Sequence, residues 1–362
     1  MKILILTGKF NMGHWSVAQS LKQELLLSGH DDIVEVEDVV TYAVPGMDRA
    51  VYKLFQVFVT CTPGLYNVFY RLTEKGTGDL LPVHARPFLQ GTEELLAERR
   101  PDVVIATHPL CAQLVARCKK KGSYGGVLLT CVTDITGHGE WLCKECDGYL
   151  VGAEAVRDAF VARGVDPSRI AVTGIPVRRE FKEPVPCAAG GEKRLLIMGG
   201  GQGLLPRDDD FYAGLNSLPN VKTTLITGGN HRLFERLAGK YPNIRVLGYT
   251  PEVYAYMRRS DLVLSKPGGA TTFEAIFSAT PMLAWEPFWE QERRNAAFLV
   301  REGMGRVAGK EKEECLAALK DLLTDPAALS GMRERMKALR ARLDDRGLEE
   351  LMGQLTEERM YA

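Results

Sequence analysis

The alternation of strand, glycine loop and helix is clearest in Ser265-Lys-Pro-Gly-Gly-Ala-Thr-Thr-Phe-Glu-Ala275 and in Pro281-Met-Leu-Ala-Trp-Glu-Pro-Phe-Trp-Glu-Gln-Glu-Arg-Arg-Asn295. The apolar run that leads into it, Asp261-Leu-Val-Leu-Ser265, is typical of a strand buried on both faces. Gly268 and Gly269 then allow backbone N–H groups to approach an anion at the N-terminus of the next helix. This order predicts a parallel α/β sheet with an anion-binding loop.

Polar residues in the same block favour a nucleotide sugar as the ligand. Glu274 lies about one helical turn beyond the loop, where a carboxylate can bind a ribose diol but repels a phosphate. Gln291 and Asn295 are four residues apart, so they share a face if one helix includes both. Their amides, with the neighbouring Glu290, would bind sugar hydroxyls, and Lys266 in the loop completes the predicted donor site.

Length and composition describe an ordinary globular chain. Its 362 residues predict about two domains, and 45% apolar with 25% charged residues is typical of such proteins. The formal net charge is zero, so nothing favours a nucleic acid as partner. No apolar run reaches the ~18 residues of a membrane-spanning helix. The sequence opens on a strand without a signal-peptide cleavage region, which predicts a cytoplasmic protein.

Metal-binding patterns are weak. The chain has eight cysteines, which in the cytoplasm are expected to be reduced. Cys143 and Cys146 form one CxxC pair, but no second pair or histidines at ligand spacing accompany it. We interpret the run Asp208-Asp209-Asp210 as a charge cluster at a helix N-terminus. The sequence therefore predicts no metal site.

Strand and helix patterns alternate along the chain, which predicts parallel sheets joined by crossover helices. One series runs from Ile3 to Thr173 and a second from Arg194 to Ala284. Between them Glu183–Glu192 is rich in proline and glycine and is the best linker candidate. The predicted organisation is an N-terminal Rossmann-like domain over 1–180, a linker over 181–192, a second domain over 193–330 and a helical segment over 331–362.

A glycine-containing loop, Thr7-Gly-Lys-Phe-Asn-Met-Gly-His14, joins the first strand to a helix. It lacks the GxGxxG spacing, so a nicotinamide cofactor is not favoured. The helix N-terminus disfavours an imidazolium, so His14 would stay neutral and can act as a general base. A surface or capping histidine is the alternative. Gly13 beside it is a candidate acceptor contact.

A second constellation is Val132-Thr-Asp-Ile-Thr-Gly-His-Gly-Glu-Trp141, which follows another apolar run. Asp134 should emerge at the carboxyl end of that strand, where α/β proteins place functional groups. It would orient the acceptor hydroxyl, support the His14 imidazolium, or itself act as base; a turn cap is the alternative. His138 and Trp141 would form an acceptor wall, and His108 follows a third strand, where a plain His-Pro turn is the alternative.

A third constellation, Met198-Gly-Gly-Gly-Gln-Gly-Leu204, places consecutive glycines directly after a strand. Such a backbone concavity suits diphosphate oxygens. The next helix is expected to open around Pro206 and to add its positive end. The candidate donor contacts in this loop are Gly199, Gly200, Gly201, Gln202 and Gly203.

Aromatic residues are dense between Val44 and His84, which indicates an insertion over about 44–85 within the first domain. A monotopic enzyme uses such a surface to enter the lipid headgroup layer and reach a lipid acceptor. Tyr66 is the candidate acceptor contact in this segment. An ordinary helical pair packed on the sheet is the alternative.

These segments together resemble one family. In order they are MGHWSVA, ATHP, VTDITGHGEW, TGIPV, MGGGQG, LGYT and SKPGG with its following glutamate, and they cover most of residues 1–310. The set resembles glycosyltransferases with two facing Rossmann-like domains, in particular monogalactosyldiacylglycerol synthases and processive diacylglycerol glucosyltransferases of glycosyltransferase family 28. The resemblance implies an α/β GT-B fold with an interdomain cleft, a nucleobase pocket near Tyr249, and a last helix that returns to the first domain.

The resemblance implies an inverting hexosyltransferase that uses UDP-galactose or UDP-glucose and a diacylglycerol or related glycolipid acceptor. His14 or Asp134 would deprotonate the acceptor hydroxyl, and no cofactor or metal is implied. The enzyme would attach peripherally to the cytoplasmic face of the membrane, and no protein partner is predicted. The alternatives are a soluble or polyprenyl-linked acceptor, or a UDP-N-acetylglucosamine 2-epimerase-like enzyme that needs no acceptor.

Overall fold

The computed structural model describes residues 1–10, 12–28, 32–61, 63–74, 76, 85–183, 191–201 and 203–361, with the backbone alone for 59, 60, 63, 65, 66 and 69. The chain forms two compact units. The first comprises Met1–Arg178, Trp289–Gln291 and Leu343–Ala362, and the second comprises Arg179–Phe288 and Glu292–Arg342. Within the described residues, no helix has both the length and the apolar character needed to cross a bilayer.

The first unit contains a six-stranded parallel sheet in the order β2-β1-β3-β4-β5-β6. Its central strands are continuous apolar runs because helices cover both faces, as in other doubly wound sheets. The strands are β1 (Lys2–Thr7), β2 (Ile33–Asp38), β3 (Val103–Ala106), β4 (Val127–Cys131), β5 (Gly148–Val151) and β6 (Ile170–Val172). The helices between them are α1 (Met12–Leu27), α2 (Val39–Ala43), α3 (Asp48–Cys61), α4 (Pro63–Thr73), α5 (Arg86–Arg99), α6 (Pro109–Lys121) and α7 (Glu154–Val161).

The second unit contains another six-stranded parallel sheet, in the order β12-β11-β10-β7-β8-β9. Its strands are β7 (Lys193–Met198), β8 (Val221–Ile226), β9 (Ile244–Leu247), β10 (Leu262–Ser265), β11 (Met282–Ala284) and β12 (Gly305–Val307). The helices are α8 (Arg179–Lys182), α9 (Asp209–Asn216), α10 (His231–Leu237), α11 (Val253–Met257), α12 (Gly269–Phe277), α13 (Glu290–Arg301), α14 (Lys312–Thr324) and α15 (Pro326–Arg340).

The helix expected around Pro206 begins instead at Asp209, because the Asp208 side chain caps it. The Asp208 carboxylate accepts a hydrogen bond from the Asp210 N–H at 2.9 Å. The interpretation of this acidic run as a helix N-terminal cluster is therefore confirmed, whereas the start at Pro206 is wrong.

The last helix, α16 (Gly347–Met360), packs against β4, β5 and β6 of the first unit. A glycine in β5 permits this approach, because a Cβ at Gly148 would lie 3.1 Å from the side chains of Leu351 and Leu355. The segment 331–362 is thus divided between α15 of the second unit and α16 of the first. Of the predicted linker, residues 184–190 lie outside the described residues, so its extent stays a prediction.

Both sheets are parallel, so the loops after their strands meet at one edge of each sheet. In the first unit these loops carry His14, His108 and Asp134. In the second they carry the glycine loop after β7, Tyr249 after β9, and the Lys266 loop after β10. The fold thus gathers the predicted residues into one group within each unit.

Candidate active site

His14 lies in the first turn of α1, and its orientation is set by two threonines. Its Nδ1 atom is 3.0 Å from the carbonyl oxygen of Thr107 and 2.8 Å from Oγ1 of Thr133. Because a carbonyl oxygen can only accept a hydrogen bond, Nδ1 carries the proton. The lone pair of the neutral ring is therefore on Nε2, which is the atom a general base needs.

The ring of His14 is packed between other rings. The centroid of His108 lies 4.6 Å away in an edge-on arrangement, and that of Trp141 lies 6.3 Å away. Burial lowers the pKa of His14 to about 4, and the Thr107 carbonyl opposes this shift. The imidazole is consequently neutral near pH 7, as the position at a helix N-terminus predicts.

His108 caps helix α6 and also packs against the His14 ring. Its Nδ1 caps α6 by accepting the Leu110 N–H at 3.1 Å, so its own proton is on Nε2. Its ring stacks on Phe10, with centroids 4.8 Å apart. Burial, together with the neighbouring His14, holds its pKa well below the usual value. The capping histidine is therefore also a wall of the His14 site.

Asp134 follows Thr133 after β4, and its side chain is partly exposed. Within the described part of the chain, no carboxylate hydrogen-bonds to the His14 ring, whose polar partners are Thr107 and Thr133. Burial and then the charge of Asp134 raise the pKa of the Glu140 carboxyl to about 8. The roles predicted for Asp134 stay predictions.

His138 was predicted to form an acceptor wall with Trp141, and its side chain is completely buried. Its Nε2–H donates to the Tyr70 carbonyl at 2.7 Å, and its Nδ1 accepts the Glu140 N–H at 3.2 Å. The rings of His138 and Tyr70 also stack, with centroids 3.9 Å apart. Both ring nitrogens are thus hydrogen-bonded inside the fold, and the bond from Nε2 attaches His138 to the last turn of α4. Trp141 is likewise buried and packs beside His14.

The residue after α4, Glu74, accepts two further hydrogen bonds at its carbonyl oxygen. The Glu74 carbonyl accepts the Gly139 N–H at 3.1 Å and Nη1 of Arg163 at 2.7 Å. Only glycine fits at 139, because a Cβ there would lie 1.9 Å from the Gly76 carbonyl oxygen. These donors satisfy carbonyl groups that a helix end leaves without intrahelical partners.

An aromatic cluster joins α3 to the loop before α1. The Phe10 ring lies 5.0 Å from Tyr52 and 4.9 Å from Phe55. The Tyr52 hydroxyl donates to Asp38 at 2.5 Å and accepts the Lys9 N–H at 2.9 Å. The predicted insertion is thus attached to the loop that ends at His14.

Several apolar side chains of α3 and α4 face solvent. Leu54 is 72% exposed and Leu72 is 77% exposed. Val57, Phe58 and Val68 are also exposed. We call these five side chains the apolar surface of the insertion. Tyr66 lies on α4, but its side chain is outside the described residues, and Gly13 occupies the first turn of α1 next to His14.

In the second unit, the glycine loop after β7 is a tight turn. The Gly203 N–H donates to the Gly200 carbonyl at 3.0 Å, and the Leu204 N–H donates to the Gly199 carbonyl at 2.9 Å. Gly199 is buried, whereas Gly200 and Gly201 are exposed. Diphosphate contacts in this loop would therefore come from Gly200 and Gly201. The predicted contact Gln202 lies outside the described residues.

Helix α12 begins directly after β10, as the sequence predicts. Gly268 is its N-cap, and the first intrahelical bond runs from the Thr272 N–H to the Gly268 carbonyl at 2.9 Å. The N–H groups of the first turn of α12, which starts at Gly269, have no partner within the helix. Glu274 lies one turn further and is partly buried. This arrangement can bind a phosphate at the helix end and a diol beside it.

The remaining donor candidates lie on α13 and after β9. Glu290 is the first residue of α13, Gln291 is partly buried one position later, and Asn295 is fully buried one turn beyond. Tyr249 is 70% exposed, as a residue that stacks on a base should be. Lys266 forms an ion pair with Glu292 at 2.8 Å, a partner that the sequence did not suggest.

Residues 14–177 match the family model of monogalactosyldiacylglycerol (MGDG) synthase. Over this range the chain is similar to the MGDG synthase family. The match starts at His14 and includes Asp134, so it covers the whole His14 site. Over nearly the full chain, the processive diacylglycerol beta-glucosyltransferase of Bacillus cytotoxicus is 29% identical, covering 93% of this chain and 89% of that protein. The enzyme of the same name from Bacillus licheniformis is 28% identical, with 93% and 90% covered.

Solved structures show that other proteins share the fold of this chain. The glycotransferase of kitacinnamycin is 19% identical with a TM-score of 0.64, covering 98% of this chain and 99% of that one. A putative UDP-N-acetylglucosamine 2-epimerase from Listeria monocytogenes is 12% identical with a TM-score of 0.60, covering 100% and 97%. Anabaena Alr3699/HepE in complex with UDP-glucose is 15% identical with a TM-score of 0.56, covering both chains fully. The predicted GT-B class, with two Rossmann-like domains, is confirmed.

Proposed function

We propose that this chain is an inverting glycosyltransferase that transfers glucose or galactose from a UDP-sugar to diacylglycerol or a related glycolipid. The observation that carries the proposal is the neutral His14, whose Nδ1–H is held by the Thr107 carbonyl and whose Nε2 is left as a base. The diacylglycerol glycosyltransferases among its relatives support this assignment over the epimerase, whose resemblance is one of fold alone.

The reaction would begin with proton transfer from the acceptor hydroxyl to Nε2 of His14. The acceptor oxygen then bonds to the anomeric carbon of the sugar, on the face opposite the diphosphate. The bond from that carbon to UDP breaks, UDP leaves with the electron pair, and the configuration inverts. Atoms and charges balance without an oxidant or a reductant.

The leaving diphosphate would be bound by main-chain dipoles of the second unit. The exposed Gly200 and Gly201 and the first turn of α12 offer N–H groups that stabilise developing negative charge. Glu274 would hold the ribose, Tyr249 would stack on the base, and Gln291 with Glu290 would bind the sugar. The proposal assigns no step to a metal or a cofactor.

The acceptor side would contact the membrane. The apolar surface of the insertion exposes leucine, valine and phenylalanine side chains, which enter a headgroup layer favourably. The Phe10 ring packs against α3 and belongs to the loop before α1, the helix whose first turn carries His14. A lipid bound at the apolar surface of α3 would therefore lie on the helix that contacts this loop. We propose a peripheral attachment to the cytoplasmic face.

The direct test supplies UDP-glucose or UDP-galactose with diacylglycerol in mixed micelles and analyses the products by mass spectrometry and NMR. We expect a β-linked glycosyl diacylglycerol from the α-linked donor. Two arms distinguish the alternatives: UDP-N-acetylglucosamine without acceptor reports epimerisation, and soluble sugar acceptors report a different specificity. Absence of transfer and of UDP release with every donor would refute the glycosyltransferase.

A further inference from the structure

The polar partners of the His14 ring are threonine oxygens and not a carboxylate. In a His–Asp pair, a carboxylate accepts the Nδ1–H and stabilises the imidazolium that forms. Here the two oxygens next to Nδ1 belong to Thr107 and Thr133. We infer that Thr133, acting with the main chain of Thr107, is the positioning residue for His14, an inference that rests on the proposed function.

The hydrogen bonds fix the direction of each proton. The Thr107 carbonyl is an acceptor only, so Nδ1 must donate, and the Thr133 oxygen at 2.8 Å then shares the same proton as a second acceptor. Both oxygens remain acceptors when Nε2 takes up a proton. They therefore orient the neutral ring and stabilise the imidazolium as well.

The threonines are held by the sheet itself. Thr107 and Thr133 follow β3 and β4, which are paired neighbours, and both side chains are buried. Oγ1 of Thr107 lies 2.8 Å from Oγ1 of Thr7 at the end of β1, and 3.3 Å from the His14 carbonyl oxygen. The first turn of α1 is thereby hydrogen-bonded to the residues after β3 and β4, and Thr107 is in turn bonded to the end of β1, which leaves the imidazole little freedom to turn.

Neighbouring titratable groups do not replace this contact. His108 meets the His14 ring through its edge, and its own Nδ1 is used by the Leu110 N–H. Thr133 is consequently the side chain whose removal alters the Nδ1 environment while the Thr107 carbonyl stays in place.

The test compares Thr133→Val, which keeps the shape but loses the oxygen, with Thr133→Ser, which keeps the oxygen. Thr130→Val is the matched control, because this buried threonine of β4 contacts Cys146 rather than His14. The full-length chain is labelled with 15N-histidine, and His14→Gln identifies the His14 signals. We expect a protonated Nδ1 in all four proteins, because the Thr107 carbonyl is retained in each, with the Nδ1 chemical shift displaced in Thr133→Val and unchanged in Thr133→Ser and Thr130→Val.

Kinetics provide a second measurement. The turnover number kcat of Thr133→Val should fall about ten- to a hundred-fold, as expected on losing a hydrogen bond to a charged group, while KM for the UDP-sugar is unchanged. Thr133→Ser should restore most of kcat. Should Thr133→Val fail to fold, Thr133→Ala and the wild-type spectrum carry the same comparison.

The two proposals fail in different ways. A wild type that transfers no sugar refutes the proposed function, but the NMR spectra still decide how His14 is held. A wild-type ring protonated on Nε2 overturns the inference, because the Thr107 carbonyl would then face a lone pair. An unchanged Nδ1 chemical shift together with an unchanged kcat in Thr133→Val overturns it as well.

Discussion

The Nζ atom of Lys266 lies 2.8 Å from Oε1 of Glu292, which joins the loop before α12 to the first turn of α13. The Glu292 side chain is buried, whereas Lys266 is partly exposed. A buried carboxylate loses more on losing its partner than a surface charge does. The pair therefore fixes the loop that is proposed to receive the diphosphate.

We expect Lys266→Met and Glu292→Gln to destabilise the protein in a coupled way. A double-mutant cycle of unfolding free energies should give a coupling of about 1–2 kcal/mol, since one partner is partly solvated. UDP binding, measured by calorimetry, should weaken in Glu292→Gln because the loop loses its anchor. Lys240→Met, which removes an exposed pair with Asp209, is the control and should cost clearly less stability than either change at the Lys266–Glu292 pair. Additive effects at 266 and 292 would contradict the anchoring role.

Removal of the His14 ring should slow the reaction without affecting the donor. His14→Gln should lower kcat by about 10²–10⁴, the usual contribution of a general base, with UDP affinity unchanged. Burial lowers the pKa of His14 to about 4. The fall of kcat/KM on the acid side should therefore lie near pH 4 and not near 6.5, the pKa of an unperturbed histidine. Activity is thus retained as the pH falls from 7 to 5, provided that circular dichroism shows a folded protein. A fall near pH 6.5 that is absent in His14→Gln would mean that burial does not lower the pKa of this ring.

The apolar surface of the insertion should decide membrane attachment. Leu54→Ser with Leu72→Ser removes two side chains that are largely exposed, so the free energy of unfolding should change little. Co-sedimentation with diacylglycerol-containing liposomes should fall several-fold, because each leucine contributes roughly 1.5–3 kcal/mol when fully buried in an apolar phase. Leu204→Ser, at an exposed leucine of the second unit, is the matched control. Equal sedimentation of all variants would remove the membrane role from this surface.

His138 should matter for α4 and not for the donor. His138→Ala removes one of the donors to the Tyr70 carbonyl, which also accepts from the Thr73 hydroxyl, and removes the stacked ring, so the end of α4 should loosen. Hydrogen exchange should accelerate over 63–73, and the free energy of unfolding should fall by about 3 kcal/mol for a buried ring that also makes hydrogen bonds. UDP binding should be unaffected. If α4 exchanged as slowly as in the wild type, the ring would not be its anchor.

The outcome for His138 shows which features the sequence alone can predict. Parallel strands were predictable because a run such as Ile3–Leu6 must be buried on both faces, and the glycine loops follow directly from those strands. The partner of His138 is Tyr70, 68 positions away in an insertion without a recognisable pattern. Sequence spacing carries no information about such a contact, so the sequence did not reveal that His138 is buried against α4.

Similar reasons explain the other differences. Thr133 was not singled out because a threonine after a strand has no distinctive pattern, yet it contacts Nδ1 of His14. Glu292 was not singled out because a charged residue on a helix is usually solvated. The strand Gly305–Val307 is too short for alternation to appear, and its place is set by pairing with β11.

Two glycines of the loop after β7 offer a final matched comparison. Gly200 and Gly203 both have positive φ, +69° and +62°, so alanine is strained at either position by about 1–2 kcal/mol. A Cβ at 200 meets nothing within 4 Å, whereas at 203 it would lie 1.9 Å from the Thr227 carbonyl oxygen. Gly203→Ala must therefore displace the loop from the one after β8, and we expect it to lower the unfolding free energy by at least 2 kcal/mol more than Gly200→Ala does. Chemical denaturation of both variants measures this difference, and equal losses would mean that backbone strain, and not the contact with Thr227, requires glycine at 203.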